Sequence, residues 1–463
     1  MSYSDFDIIN DRIYKDIELN YSLSSKYVDV WDGFKRKEGD KFPDKITQDR
    51  ARLYEINRCL YTESISSFGA LWEDYYNIVS LGNLNSYTEV IRCPYYKYIT
   101  DSWVSLILGN DITIDINSTH SQDVIDTLND AYLDFRLQEV LRSLIQTGNA
   151  VLKVNIVDGS VTLTLIPCTN WIPYIDKADL TSIKCNEIFN VYTVDSKEYI
   201  EFVCFIDDGT LEKYVFEYNG NTLGKLVSKE VYNEYNQIDT SSVLVFTLNK
   251  MNNDIFGKDE YRYWESSILE ILGIKYKQAK IRRKSDKYYG YIPKDMTLNL
   301  NGTQFIDTNR DLIYTYDNDI QEKEKDVKIE QLDVSNLAIL KEMEDSAIKR
   351  LSIDCGLGIT YFDTVKASHM LSGTSQEIMM KTTLDKAKLI YKSMTPTIKE
   401  IVKIVCRLYG DETSNRDIKI KFNISTSEDY LEIQSDVQSD FEVVDDGDID
   451  DIQGVDDDGV QLQ

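Results

Sequence analysis

The spacing of apolar residues divides the chain into helical and β-rich stretches. Residues 1–118 are predicted to be mostly helical with loops, because apolar positions over 51–80 recur mostly every three to five residues, which is typical of helices that pack one face against a core. Within that stretch, isoleucines alternate with polar residues over 112–116, which predicts a short strand. A helix is then predicted over 121–147, closed by Gly148.

From residue 150 to 250 the apolar period changes to two, which is typical of strands. Three turn pairs separate β-rich runs and indicate hairpins: Asp158-Gly159, Asp208-Gly209 and Asn219-Gly220. The sequence therefore predicts a β-meander of six or more strands in the middle of the chain.

Helical spacing returns after residue 259. Helices are predicted over 261–285, 334–355 and 375–409, and the last of these is about 50 Å long if continuous. Pro396 lies inside it and predicts a kink, because a proline cannot donate the backbone hydrogen bond.

Two connecting segments separate these three helices. Residues 288–333 form a short β-like island, and residues 356–373 form a loop bracketed by glycines. Together these patterns predict an α+β protein.

The charge of the chain is unusually negative. Lys and Arg number 51 and Asp and Glu 79, so the net charge is −28. This argues against a generic DNA-binding surface, which needs a basic face. Residues 435–463 contain eleven acids and no Lys or Arg, which predicts a disordered tail.

One helix carries charge of the opposite sign near its end. Such a run is often only a solvated helix face, and that interpretation stays open. Seven basic residues form it: Lys275, Lys277, Lys280, Arg282, Arg283, Lys284 and Lys287.

Residue counts exclude several kinds of site. The two histidines, His120 and His369, exclude a three-histidine zinc site, and His120 lies in a cap-like cluster that predicts a structural role. Seven cysteines without a C-x-x-C spacing predict free thiols in a reducing compartment. Cys168, Cys185 and Cys204 are irregularly spaced and are predicted to be core residues.

Motifs that carry chemistry are incomplete. The segment 220–225 is one residue short of a phosphate-binding loop and has Leu226 where a Mg²⁺-binding hydroxyl would stand. The calcium-loop pattern that starts at Asp446 has Asp451 where the sharp turn needs glycine. No G-x-S-x-G elbow occurs. We therefore predict no catalytic residue, no metal site and no cofactor.

Targeting signals are also not evident. The acidic, polar N-terminal residues predict no secretory signal peptide, and no apolar run is long enough to predict a membrane span.

Several strings, in their order along the chain, point to a family. The more specific are Gly257-Lys258-Asp259 before one helix and Ser372-Gly373-Thr374-Ser375 at the start of another. The longer strings are RCPYYKYITDSWVSLILGNDITIDI (92–116), LQEVLRSLIQTGNAVLKVNIVDGSVTLTLIP (137–167), FGKDEYRYWESSILEILGIKYKQAKIRRKSD (256–286) and LSGTSQEIMMKTTLDKAKLIYKSMTP (371–396). In these strings the chain resembles the portal proteins of tailed bacteriophages, of the kind found in phages of Gram-positive bacteria.

The resemblance implies a portal fold with a defined order of parts. That order is a wing (1–260, with a helical N-terminal part and the β-meander 150–250), a stem helix (261–285), a clip (286–333), a second stem helix (334–355), a tunnel loop (356–374), a long wing helix (375–410), a reduced crown (411–434) and the acidic tail (435–463).

The resemblance also implies a function without catalysis. Portal subunits form a dodecameric ring at one capsid vertex, a conduit for double-stranded DNA during packaging and ejection. The implied partners are further copies of the chain, the large terminase subunit, a head–tail adaptor, and the major capsid and scaffolding proteins, with no membrane. The implied location is the virion, after assembly in the host cytoplasm.

Residue roles follow from the same resemblance. The tunnel loop would face DNA through Thr364, Lys366, Ser368 and His369. The basic run would form a belt in the stem, paired with acids of the neighbouring subunit such as Glu344 or else lining the channel. Aromatic residues of the clip would form an interface: Tyr288, Tyr289, Tyr291, Phe305, Tyr314 and Tyr316.

Two other interpretations of the sequence stay open. One is a cytosolic, acidic, multi-domain α+β enzyme with a divalent-metal carboxylate site. The other is a virion or scaffold-binding protein that does not form a ring. The excess of acidic residues has two explanations. In a portal ring it would give the channel a wall to which DNA does not adhere, and in any other protein it would serve solubility alone.

Overall fold

The computed structural model contains a mixture of helices and sheets. It describes residues 28–62, 94–157, 160–179, 182–207, 209–232, 242–250, 254–285, 288–293, 313–316, 328–331, 335–358, 362 and 373–424.

Seven α-helices lie within these residues: α1 (Lys45–Thr62), α2 (Tyr95–Leu108), α3 (Ser121–Asp130), α4 (Leu133–Thr147), α5 (Tyr261–Ser285), α6 (Ser335–Asp354) and α7 (Gly373–Leu408). The strands within the same residues are β1 (Thr113–Ile116), β2 (Asn149–Val157), β3 (Ser160–Ile166), β4 (Trp171–Ile175), β5 (Ile183–Val194), β6 (Lys197–Ile206), β7 (Leu211–Tyr218), β8 (Leu223–Tyr232), β9 (Ser242–Thr247), β10 (Tyr288–Pro293), β11 (Ile313–Tyr316), β12 (Lys328–Gln331) and β13 (Ile418–Lys421).

The β-rich middle of the chain forms two sheets rather than one meander. Strands β4 to β8 form a five-stranded antiparallel meander in sequence order. Strand β9 returns to pair with β2, with Val151 opposite Val245, and makes a separate sheet of order β3-β2-β9. The predicted turn glycines Gly209 and Gly220 have φ of +88° and +74°, the left-handed conformation that these turns need.

The main core lies between the β3-β2-β9 sheet and helices α2 to α7. Trp103 of α2 and Trp264 of α5 are among its largest fully buried side chains. Helix α7 contributes a buried stripe that includes Ile398, Ile401 and Val405, as its spacing predicts. One core therefore holds the two predicted stem helices and the predicted long helix against the β3-β2-β9 sheet.

The single helix predicted over 121–147 is broken into α3 and α4. Tyr132 stands between them in a left-handed conformation with φ of 54°. On one continuous helix the buried Val124 of α3 would lie about 180° around the axis from Leu133 and Leu144 of α4. The break turns both apolar faces toward the same core.

A buried ion pair joins the N-terminal segment to the five-stranded sheet. Arg36 donates to Glu187 Oε1 of β5 from Nε and Nη2, at 3.1 and 2.6 Å. Its guanidinium carbon lies over the rings of Phe42 and Phe202, 4.6 and 4.8 Å from their centres. Burial raises the pKa of Glu187, and the positive charge of Arg36 lowers it by less, so the net shift is upward. Burial would lower the pKa of Arg36, but the Glu187 carboxylate offsets this and the net shift is upward.

The segment after α7 folds back onto the body. Strand β13 pairs antiparallel with β1, with Ile114 opposite Ile420, and Phe422 stacks on Tyr391 of α7. The described part of the predicted reduced crown, up to residue 424, is therefore built into the sheet of β1. Residues 425–434 and the acidic tail lie outside the described residues.

Candidate functional site

The two predicted stem helices form an antiparallel hairpin. Polar contacts join the two helices along their length. As the residue number on α5 rises, the residue number of its partner on α6 falls, which shows that the helices run in opposite directions. Ser267 donates to Asp354, Arg350 donates to Glu270 Oε2 at 2.6 Å, and Gln278 donates to Glu344 Oε2 at 2.9 Å. Buried apolar residues such as Ile271 and Leu351 attach the same helices to the main core.

The same antiparallel pairing continues into a small sheet at the far end of the hairpin. Strand β10, which follows α5, pairs with β12, which precedes α6, so that Tyr288 faces Gln331 and Tyr291 faces Lys328. Strand β11 joins on the other edge of β10 and runs parallel to it. The β-like island predicted for 288–333 is thus a three-stranded sheet on the tip of a helical hairpin.

Glycines form the joint at the near end of the hairpin. Gly257, just before α5, packs against Gly148 at the end of α4, and a Cβ on Gly257 would lie 2.0 Å from the Gly148 carbonyl oxygen. The amide of Gly257 donates to Asn149 Oδ1, and the amide of Lys258 donates to the carbonyl of Leu248. This contact explains why the Gly-Lys-Asp string begins with glycine.

The rest of that string starts helix α5. Asp259 accepts from the backbone amide of Arg262 at 3.1 Å and from its guanidinium at 2.8 Å, so its carboxylate caps the helix N-terminus. Lys258 and Asp259 are both buried, and Lys258 lies 3.8 Å from Asp254.

A buried polar group fixes the hairpin to α7. Lys386 of α7 contacts Glu260 Oε2 at 2.7 Å and donates to the carbonyl of Cys355 at 3.0 Å. The indole nitrogen of Trp103 donates to the same carbonyl at 3.2 Å, and Asn249 donates to the other oxygen of Glu260. These contacts hold helix α2, the connection between β9 and α5, the end of α6 and helix α7 together at one point.

The predicted tunnel loop leaves the fold from this point. Gly356 has φ of +74°, a conformation that favours glycine, and the amide of Gly358 donates to Thr383 Oγ1 of α7 at 3.0 Å. Phe362 is described and packs edge-on against Tyr98 of α2. The loop is therefore anchored on its N-terminal side.

The predicted DNA-facing residues of the loop are not described. Thr364, Lys366, Ser368 and His369 all lie outside the described residues. Their role stays a prediction.

The basic run of α5 is only partly described. Lys275 is half-buried, lies 3.8 Å from Glu344 of its own chain, and sits over the ring of Tyr95 at 5.1 Å. Glu344, which the resemblance offered as a partner across a subunit boundary, thus pairs within one chain. Lys277 is exposed. The side chains of Lys280, Arg282, Arg283 and Lys284, and all of Lys287, lie outside what is described.

The backbone of most of the predicted clip aromatics is described. Tyr288, Tyr289 and Tyr291 lie on β10, and Tyr314 and Tyr316 lie on β11. Phe305 lies outside the described residues. Their role as an interface stays a prediction.

A second basic surface was missed from the sequence. It lies on helix α7, where lysines recur at intervals of seven and four and fall within about 60° of arc over roughly 33 Å. We call this surface the lysine track: Lys381, Lys388, Lys392, Lys399 and Lys403. The i, i+7, i+11, i+18, i+22 spacing is the signal that could have found it.

The described cysteines and His120 lie in surroundings that suit structural roles. Cys168, Cys185 and Cys204 are free and buried, as predicted for core residues. Burial raises the pKa of the Cys355 thiol to about 12, which makes it a poor nucleophile at neutral pH. His120 precedes α3, with Nδ1 3.2 Å from Asp123.

The described residues lack both a cluster of metal-ligating side chains and a helix suited to crossing a membrane. Across these residues, His, Cys, Asp and Glu do not gather in groups of three or more that could hold a metal ion. None of the described helices combines the length and the apolar character that a membrane crossing requires.

Comparisons with known proteins found similarity at the level of structure. No protein-family model matches the sequence, and no curated protein matches it. Several solved structures are similar in fold. A chain from the neck of an empty gene transfer agent particle, computed with C6 symmetry, has a TM-score of 0.42 at 8% identity, covering 88% of this chain and 92% of that chain.

Two further similar structures are components of particles or phages. A chain of the virion of a native gene transfer agent particle has a TM-score of 0.41 at 8% identity, covering 75% of this chain and 86% of that chain. An HK97-family phage portal protein from Corynebacterium diphtheriae has a TM-score of 0.34 at 8% identity, covering 73% of this chain and 94% of that chain. At these scores the likeness supports no conclusion about what this chain does.

Proposed function

We propose that this chain is a portal subunit. Identical copies close into a ring, expected to be dodecameric, at one capsid vertex. The ring is the conduit for double-stranded DNA and the docking platform for the terminase motor and later for a head–tail adaptor. Capsid and scaffolding proteins surround it, assembly takes place in the host cytoplasm, and the chain has no catalytic role of its own.

The observation that carries the proposal is the order of parts around the α5–α6 hairpin. A three-stranded sheet stands on its far tip, and a glycine-started loop and the 36-residue helix α7 follow at its near end. This is the order of stem, clip, tunnel loop and long helix that the sequence strings imply.

Exposed apolar residues on the hairpin support contact between copies. Ile339, Met343 and Ile353 lie along one side of α6, and Ile353 is 78% exposed. Tyr263 of α5 is also exposed, near the same end as Ile353. A second copy packed against the hairpin would remove this apolar surface from water, which favours association.

The charge of the chain supports a channel that does not hold DNA tightly. Each lysine–phosphate contact adds binding free energy that has to be lost again whenever the DNA moves. A net charge of −28 for each copy keeps such contacts few. Lys366 of the predicted tunnel loop is one of the few cations expected to meet DNA.

Crosslinking in packaged particles tests the proposal. A photo-reactive amino acid at position 366 is expected to crosslink to packaged DNA, whereas the same residue at the exposed position 225 on β8 is not. The readout is DNA-linked protein after irradiation and nuclease treatment. Equal crosslinking from both positions, or none from position 366 in filled particles, would contradict the proposed channel.

A further inference from the structure

A cleft opens beside helix α7, away from the α5–α6 hairpin. Its volume is about 750 Å³, and it lies between β5, β9, β13 and the middle of α7. Apolar residues line much of it: Val243, Val245, Tyr391, Pro396 and Ile420. Lys392, Lys399 and Glu400 also line it, and Glu400 pairs with Lys403 of the lysine track at 2.7 Å. An apolar floor with cations beside it suits a ligand that is both apolar and acidic.

The cleft is continuous with the lysine track. Lys381, Lys388 and Lys392 are exposed, and Lys392 belongs to both surfaces. Lys388 lies 3.7 Å from Asp385, a contact between two exposed side chains that contributes little. For Lys381 and Lys392 no carboxylate partner is found among the described residues. In a chain with a net charge of −28, such a row of cations is an exception.

The C-terminal end of the described chain lies beside the same cleft. Ile420 lines it, and the ring of Phe422 stacks on Tyr391 with centroids 5.0 Å apart. Residues after 424 therefore start close to the lysine track.

The sequence that follows matches the cleft in chemistry. Residues 435–463 carry eleven acids and no Lys or Arg, as noted above. Apolar residues are interleaved with these acids: Phe441, Val443, Val444, Ile449 and Ile452. A segment of this composition can place apolar side chains in the cleft while its carboxylates face the lysines.

We infer that the acidic C-terminal segment, residues 435–463, docks on the lysine track and cleft of α7 in its own chain. The connecting residues 425–434 can span up to about 35 Å when extended, which is about the length of the track. The docked segment covers the lysines with carboxylates and so keeps nucleic acid from binding there. The inference does not depend on the proposed channel, because it concerns a surface outside the hairpin and the loop.

Binding of the isolated segment tests this inference. The protein is shortened to end at residue 434, which keeps every described residue, and a fluorescent peptide of residues 435–463 is titrated with it. Fluorescence anisotropy is expected to show binding that weakens as salt is added. Changing Lys381, Lys388 and Lys392 to Gln together is expected to weaken binding about tenfold.

Two matched controls separate specific docking from general attraction. A protein with Lys177, Lys197 and Lys225 changed to Gln loses three exposed lysines of the wing and is expected to bind the peptide normally. A peptide with Phe441→Ser and Ile449→Ser keeps all its charges and is expected to bind roughly tenfold more weakly, because it cannot fill the cleft. If the two lysine triples behave alike, or if the serine peptide binds equally well, the inference is wrong.

A short DNA duplex serves as the competing polyanion. The protein that ends at residue 434 is expected to bind it more tightly than the full chain does, and the peptide is expected to displace it. Equal binding of DNA by both proteins would show that the segment does not cover the track, and would overturn the inference.

Zero-length coupling of lysines to carboxylates tests whether the segment binds its own chain. Full-length chains labelled with ¹⁴N and ¹⁵N are mixed and coupled, and crosslinked peptides are identified by mass spectrometry. Pairs between the lysine track and residues 435–463 are expected to carry a single isotope. Mixed pairs would place the segment on a neighbouring copy and contradict docking within one chain.

Discussion

Replacing Gly257 with alanine is expected to destabilise the folded chain strongly. A Cβ at this position would lie 2.0 Å from the Gly148 carbonyl oxygen and 2.4 Å from that of Leu248. Both neighbours are backbone atoms, and the Leu248 amide donates to that Gly148 carbonyl, so neither neighbour can move without disrupting the joint between α4 and α5. We expect a loss of at least about 3 kcal/mol in the free energy of unfolding, measured by urea denaturation of the unassembled chain.

Gly273 provides the matched control for this substitution. It lies inside α5, and a Cβ there would meet nothing within 4 Å. Alanine at position 273 is expected to stabilise the chain by about 0.5–1 kcal/mol, because glycine is a poor helix former. If the two alanine variants shift the urea midpoint in the same direction, the described contact of Gly257 with Gly148 is wrong.

Changing Glu187 to glutamine is expected to produce the second large effect. The side chain of Glu187 is 1% exposed, and its carboxylate is the partner of Arg36, whose side chain is 14% exposed. Glutamine keeps the size of the side chain but leaves the guanidinium over two aromatic rings without the carboxylate of Glu187 as its counter-charge. We expect a loss of about 3–5 kcal/mol in the free energy of unfolding, from the same urea measurement.

Two further variants test the reason for that loss. Glu198→Gln removes an exposed carboxylate from β6 of the same sheet and is expected to change stability by less than about 0.5 kcal/mol. Changing Arg36 and Glu187 together to methionine removes both charges and is expected to restore most of the loss. A double variant as unstable as Glu187→Gln would show that packing, not the unpaired charge, dominates.

The long helices were predictable because their signals are local. Helices α5, α6 and α7 begin and end within about two residues of the predicted bounds, since apolar spacing marks all three and a glycine follows α6 and α7. The break between α3 and α4 was not predicted, because Ala131 and Tyr132 are neither Gly nor Pro and give no local stop signal. The separate β3-β2-β9 sheet was missed because β9 pairs with a strand more than eighty residues earlier.

The parts of the candidate site that could be predicted are those formed by residues close together in the sequence. The β sheet between helices α5 and α6 was expected from its short β-rich runs. The contact of Gly148 with Gly257 and the group around Lys386 join residues far apart in the chain, which a single sequence does not reveal. The lysine track could have been predicted from the spacing of its lysines in the sequence. It was missed because these lysines are interleaved with the apolar stripe of α7, which dominates the pattern.

Electron cryomicroscopy of the purified full-length chain tests the central claim most directly. We predict closed rings in end-on views, with the α5–α6 hairpins nearest the axis and their three-stranded sheets at one end of the bore. A chain that stays monomeric or dimeric at every protein and salt concentration would contradict the account. So would a ring whose hairpins lie on its outer rim.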